Sequence, residues 1–204
     1  MVVHGRHDHG FRVPRPDLSI FPQADFRGWR RPDGDRFRLY ELAGVPHMGT
    51  RPFPYSSTEL WHGVTGKAIP ADAIMNSTPH NELFNVCLDH LVRWVADGVA
   101  PPHANRIEFA EDGFIAKDEF GNSRGGVRCV QLDVPKATYH STPLLDEGTP
   151  NISSVGVEVR FDAARMTEIY GTAAEYRRRF EARLAELAAA GWVLPEDLEL
   201  ARAL

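Results

Sequence analysis

Two short apolar runs, each leading into a chemically useful side chain, constrain this sequence more than any other feature. Met1–Val2–Val3–His4–Gly5 reads as a short buried strand and runs into Asp8. Phe37–Arg38–Leu39–Tyr40–Glu41–Leu42 reads as a second strand and runs through Ala43–Gly44 into His47. Residues 10–36 between them are punctuated by Pro14, Pro16, Pro22 and Pro32 and show no strong period. That length suffices for a crossover between parallel strands, which needs a dozen or more residues. Reactive groups of open α/β sheets gather beyond the carboxyl ends of the strands. An acid and an imidazole each follow such an end here. The pattern predicts that Asp8 and His47 are neighbours within hydrogen-bond reach.

The rest of the chain alternates loops with clear helices. Phe37, Leu39 and Glu41 should face one way and Arg38, Tyr40 and Leu42 the other. Residues 44–77 read as loop, with Gly44, Pro46, Gly49, Pro52 and Pro54 close together. Thr78 is placed to cap a helix and Pro79 to begin it, where a missing N–H costs nothing. Its apolar residues, from Leu83 to Val95, are too many for one narrow stripe, which predicts burial on most sides. Gly98 and Pro101–Pro102 end it. Residues 105–138 read as short strands and turns, with a hairpin turn at Asp112–Gly113 and a strand-like run Val127–Leu132. Residues 139–161 read as loop. Asp162 can cap a short helix ending at Gly171. Thr172–Ala173–Ala174–Glu175 is a capping box that opens an amphipathic helix with Tyr176, Phe180, Leu184 and Leu187 on one face. Gly191 stops it, and Pro195 starts a last short helix.

Composition narrows the class. The 204 residues are 43% hydrophobic and 25% charged, ordinary values for a globular domain. A net charge of −5 argues against nucleic acid as a partner. The basic run Arg177–Arg178–Arg179, interleaved with Glu181 and Glu186, reads as a solvated helix face. Cys87 and Cys129 read as buried thiols; a disulfide is open, but nothing calls for one. No apolar run approaches a membrane span, and no signal-peptide pattern opens the chain. The protein is cytoplasmic if Met1 is the true start; otherwise localisation is open.

Asp8 and His47 fit two of the three roles in a hydrolytic triad. A carboxylate fixes the imidazole tautomer, and the imidazole takes the proton from a serine hydroxyl. The residues around them carry a resemblance. Val2–Val3–His4–Gly5–Arg6–His7–Asp8 resembles the strand-then-acid segment of α/β-hydrolases, and Arg36 through His47 resembles their final strand and histidine loop. His90 through Pro102, Asp118 through Arg128, and Ala190 through Asp197 resemble the C-terminal half of bacterial alpha/beta hydrolase domain-containing proteins, with which phthalyl-amidase-like enzymes are grouped. The resemblance implies that His47 is the triad histidine and Asp8 its acid. In that fold the triad runs in the order Ser, Asp or Glu, His. Only seven residues precede Asp8, so the nucleophile elbow and oxyanion loop would lie outside this chain.

Two other patterns compete. Gly121–Asn122–Ser123–Arg124–Gly125 matches G-x-S-x-G letter for letter, but an elbow needs an apolar strand before the serine and a helix after it. Lys117, Asp118 and Glu119 lead in, and Gly126–Val127–Arg128 lead out to a strand-like run. This reads as a turn or bulge. His4, His7, Asp8 and His9 form a cluster, but alternation separates Asp8 from His7 and His9, and no second cluster completes a zinc site. His62, His80, His90, His103 and His140 are scattered and read as ordinary histidines.

The expected fold class is α/β. Residues 1–204 form a single partial domain, the C-terminal part of an alpha/beta-hydrolase fold. It has a short parallel sheet remnant, a buried helix over 79–97, a β-rich insertion over 105–138, and a helical tail. The expected activity is ester or amide hydrolysis by a complete enzyme acting on a small-molecule substrate. No cofactor, no metal, no nucleic acid and no membrane are called for. The rivals are a non-catalytic truncated module and a small metal-dependent enzyme. Val2, Val3, Phe37 and Leu39 should form open apolar edges that favour self-association.

Overall fold

In the computed structural model the described residues are the backbone of 2–7, residue 30, and residues 32–46, 73–111, 115–141 and 156–203. Strand β1 (Val2–His7) pairs in parallel with β2 (Phe37–Leu42), in register from Val2↔Phe37 to His7↔Leu42. The other edge of β2 is also occupied. Val127 N donates to Glu41 O at 2.7 Å, and Ala43 N donates to Val127 O at 3.0 Å. The approach is close because residue 126 is glycine: at φ 72° a Cβ there would stand 2.6 Å from Glu41 O. From Arg38 to Leu42 the strand is buried on both faces. This corrects the expected open apolar edge at Leu39; Phe37 is half-buried. A parallel strand covered on both faces has no solvent side to show. The side chains of Val2 and Val3 lie outside the described residues.

Helix α1 (His80–Asp97) ends, as expected, at Gly98 with φ 71°. Its N-cap position is Pro79 and has no side-chain cap. The Thr78 hydroxyl, expected to cap it, bonds to Asn76 Oδ1 at 2.6 Å instead. One face, with Leu83, Val86, Cys87, His90 and Trp94, is buried. Burial on most sides does not hold: Leu88, Val92 and Val95 are 58%, 54% and 67% exposed. They lie four and three residues apart and make a second apolar stripe on the opposite side.

The segment after Pro102 folds back on itself through isolated antiparallel bridges, Ile107↔Gly125, Phe109↔Ile115 and Lys117↔Ser123. The expected turn at Asp112–Gly113 lies outside the described residues. The strand expected over Val127–Leu132 is instead the Val127 bridge followed by a short helix, α2 (Val130–Asp133). Arg128 turns the chain there, bonding Asp118, Asp133 and the Leu132 carbonyl. A three-stranded antiparallel sheet follows in the order β3 (Ala73–Met75), β5 (Val157–Arg160), β4 (Ala137–His140). Segments 44–77 and 139–161, expected as loop, each contribute a strand to it. Strands of three and four residues are too short to show a period, and the fully buried Glu158 breaks the apolar pattern.

The helical tail follows the sequence closely. Asp162 accepts Arg165 N at 2.7 Å and caps α3 (Ala163–Tyr170), which stops at Gly171. Thr172 accepts Glu175 N at 3.1 Å and opens α4 (Ala173–Ala189). The Glu175 carboxylate bonds Arg178 and Arg179, which hold its pKa down to about 2. A 3₁₀ turn (Pro195–Asp197) and α5 (Leu198–Ala203) complete the chain. Phe180, Leu184 and Leu187 pack on Val130 and Tyr170, while Tyr40, Leu42, Leu83 and Tyr139 form a second cluster. Trp192 packs against both.

His90 lies at that junction, its ring edge-on to Trp192 at 5.5 Å. Burial pushes its pKa below the ordinary 6.5. His140 is lowered too, by burial first and then by Lys117. The unfolded chain therefore takes up protons that the folded chain resists as pH falls below 6.5, and stability declines until the folded pKa is reached. We expect a lower urea midpoint at about pH 5.5 than at about pH 7.5, and a shallower difference in His90→Leu. An unchanged difference in that variant would mean that the buried ring titrates as an ordinary one.

Candidate active site at the carboxyl end of the parallel strands

Asp8 and His47 both lie outside the described residues, as does His9; of His4 and His7 only the strand backbone is described. What is described is the frame that leads to them. Because His7 pairs with Leu42, β1 and β2 end side by side at the same end of the sheet. The chain then passes from Ala43 to Pro46 through a buried turn, with Gly44 at φ 66°. A Cβ on Gly44 would stand 2.8 Å from Leu132 Cδ2.

This turn is tied to the antiparallel sheet by one buried amide. Asn76 Nδ2 donates to Gly44 O and to His140 O, both at 3.1 Å. Asn76 Oδ1 accepts Thr78 N at 2.9 Å and Thr78 Oγ1 at 2.6 Å. Asn76 N donates to Gly156 O at 3.0 Å. Gly156 has no room for a side chain: a Cβ would stand 2.6 Å from Pro46 Cβ. Beside it, buried Glu158 accepts Ser77 N at 2.9 Å and Ser77 Oγ at 2.5 Å. Four segments therefore meet within three residues of position 47. Sequence reading missed this junction because Asn76–Ser77–Thr78 looks like ordinary turn chemistry.

Residues 16–203 match the family model described as an alpha/beta hydrolase domain. No curated protein and no solved structure matches the sequence. The chain belongs to the alpha/beta hydrolase domain family. The match takes in His47 and begins after Asp8.

Within this alpha/beta hydrolase domain, Ser123 sits in an antiparallel hairpin. Gly121 N donates to Asp118 O at 3.0 Å to close the turn, and Lys117 Nζ donates to Ser123 Oγ at 3.0 Å. The neighbouring Asn122 bonds Ala137 O and Tyr139 N, stitching the hairpin to β4. Ser123 is fully buried and no helix follows it directly, so the strand–turn–helix of a nucleophile elbow is absent at this serine. Cys87 and Cys129 are free and buried, and burial pushes both thiols up to about 12. Such thiols are poor nucleophiles. Among the described residues no group of three His, Cys, Asp or Glu could hold a metal ion.

One acid–imidazole pair is described, and sequence reading missed it. His103 Nδ1 lies 2.8 Å from Asp33 Oδ2. Arg106 Nη2 donates to Asp33 Oδ1 at 2.6 Å, and Leu39 N donates to the same oxygen at 3.3 Å. Burial alone would raise the pKa of Asp33, but hydrogen bonds from Arg106 and His103 hold it below 3.8. The pair sits beside Leu39, four residues before Ala43 and about 13 Å back along an extended strand. That places it away from the strand exits. The 70-residue separation leaves no local signal in the sequence.

The hydrogen bonds make Asp33 a clamp on the edge of β2, with His103 as its outer member, 71% exposed. Asp33→Ala leaves Arg106 and buried Arg38 without their carboxylate and should cost roughly 3 kcal/mol or more. His103→Ala should cost less than about 1 kcal/mol, as exposed pairs do. Urea unfolding of both variants measures this; equal losses would show that the imidazole is part of the clamp's core.

Proposed function

We propose that this chain carries the histidine and the acid of a Ser–Asp–His triad for ester or amide hydrolysis, with the serine in polypeptide outside residues 1–204. The observation that supports this reading is the parallel register of β1 and β2, whose last residues, His7 and Leu42, pair at the same end of the sheet. Family membership supports the hydrolase class. Residues 90–102, 118–128 and 190–197 resemble the bacterial alpha/beta hydrolase domain-containing family, with which phthalyl-amidase-like enzymes are grouped, and this supports amides as well as esters of small molecules. His47 takes the proton of the serine hydroxyl as it attacks the carbonyl carbon, then returns it to the leaving alcohol or amine. Asp8 orients the ring and stabilises its protonated form. The chemistry needs no cofactor.

A second reading is a non-catalytic module that binds a partner, for which the exposed stripe Leu88, Val92 and Val95 speaks. Self-association is a related proposal: β1 pairs only with β2 among the described residues, so its other edge is open there to a second chain.

The coding DNA immediately upstream of Met1 separates the readings. We expect a continuous frame encoding a G-x-S-x-G strand–turn–helix; a stop codon with no such segment favours the binding module. Protein from the longer frame should hydrolyse p-nitrophenyl esters, with Asp8→Asn lowering kcat by about 10⁴-fold. Residues 1–204 alone should not react with a fluorophosphonate probe. Labelling that disappears in Ser123→Ala would make Ser123 the nucleophile and overturn the assignment.

A further inference from the structure

We propose that the cavity lined by Trp192 binds one calcium-sized divalent cation, which ties the helical tail to the core through Glu82, Gln131 and Asp197. It stands apart from the triad reading. The cavity measures about 30 Å³. At about 10–15 Å³ for each water-sized occupant, that is room for an ion and roughly one water. Glu82 comes from α1, Gln131 from α2, and Asp197 from the 3₁₀ turn before α5. Leu83 and Val86 line it on the α1 side.

The residue that points to a ligand is Gln131. It is 3% exposed, and its Oε1 is buried with no hydrogen-bond partner among the described residues. Its Nε2 donates to Ala201 O at 3.4 Å. A carbonyl can only accept, so turning the amide over would set two oxygens against each other. The oxygen end is thereby fixed as the unpartnered one. A buried acceptor left like this calls for a donor or an ion that the chain does not supply.

The other two polar residues of the lining narrow the choice. Glu82 Oε2 and Asp197 Oδ2 are buried as well. Ionised carboxylates, like an amide oxygen, only accept. One water donates two hydrogen bonds and brings no charge. A cation serves all three side chains at once, and it relieves the repulsion of two carboxylates on one cavity. Carboxylate and amide oxygens are hard donors, which calcium takes at about 2.3–2.6 Å in flexible geometry. Five oxygens from the three side chains and one water reach the lower end of its range of about six to eight. Magnesium keeps several waters in a strict octahedron, for which this cavity is too small. The amide is the third donor, so no third acid is needed. Glu82 also stands where a capping-box carboxylate would return to the N-cap N–H, and Pro79 has none to offer.

The test is calorimetry and urea unfolding of residues 1–204 freed of metal with EDTA, with calcium chloride as the probe and magnesium chloride as the control. We expect one calcium per chain with a Kd of about 10⁻⁴–10⁻³ M, as suits so few protein ligands, and a urea midpoint that rises in about 10 mM calcium. Magnesium should give less than half that rise. Asp197→Asn and Glu82→Gln keep the side-chain shape and remove one charge each; both should weaken calcium binding at least tenfold and abolish the rise. Gln131→Glu supplies a third carboxylate and should bind calcium more tightly than the unmodified chain; if it does not fold, the other two variants decide.

No heat of binding and no rise in calcium would mean that the cavity holds water only, and would overturn the proposal. A rise that persists unchanged in Asp197→Asn and Glu82→Gln would place the calcium elsewhere on this net-negative chain, and would overturn it too. An equal rise in magnesium would overturn the choice of calcium.

Discussion

Glu41 puts a carboxylate into the centre of this domain at 3% exposure, and the arrangement around β2 follows from satisfying it. Arg30 meets it with both Nε and Nη2, and Ile107 N donates to Oε2 at 2.9 Å. Arg30 also bonds Ile107 O and lies over the Phe109 ring at 4.7 Å. An unpaired buried carboxylate would cost several kcal/mol, so the strand can be buried only with these partners in place. Such a pair adds little net stability over apolar residues. What it contributes is register: Ile107 can reach Glu41 in only one alignment of the 105–109 segment against β2. That alignment also brings Gly126 and Val127 to the second edge of the strand.

The parts legible in the sequence are those whose signal is local. The caps at Asp162 and Thr172, the stops at Gly98, Gly171 and Gly191, and the apolar face of α4 each depend on residues a few positions apart. The two parallel strands were legible because apolar runs with a long crossover between them admit few arrangements. The antiparallel sheet was not. Its strands are three or four residues long, lie up to 87 positions apart (160 − 73), and carry Glu158 at a fully buried position. A short strand with a buried glutamate looks like loop until its partner, Ser77, is in view. The same holds for Thr78, which satisfies the sequence rule for a cap. It is diverted because Asn76 Oδ1 and Gly44 O offer its hydroxyl better-placed partners. Helix α1 misled in the other direction: its apolar count is high because it carries two stripes, one facing the core and one facing solvent.

For the candidate site, the sequence pointed to the exits of β1 and β2 without showing what holds them. Loops carry reactive groups while a scaffold fixes where those loops begin. Here the scaffold is unusual in being built from backbone carbonyls and small residues. Gly44 and Gly156 leave no space for a Cβ, and Asn76 reads two carbonyls that have no sequence identity of their own. Such a junction is invisible to pattern reading, because nothing in a carbonyl contact constrains the residue type that supplies it.

The two sheets meet at this turn and contribute different things to it. The parallel pair ends beside it, with His7 opposite Leu42. The antiparallel sheet holds it from the other side: Asn76 grips the Gly44 carbonyl, and Gly156 leaves the space that Pro46 fills.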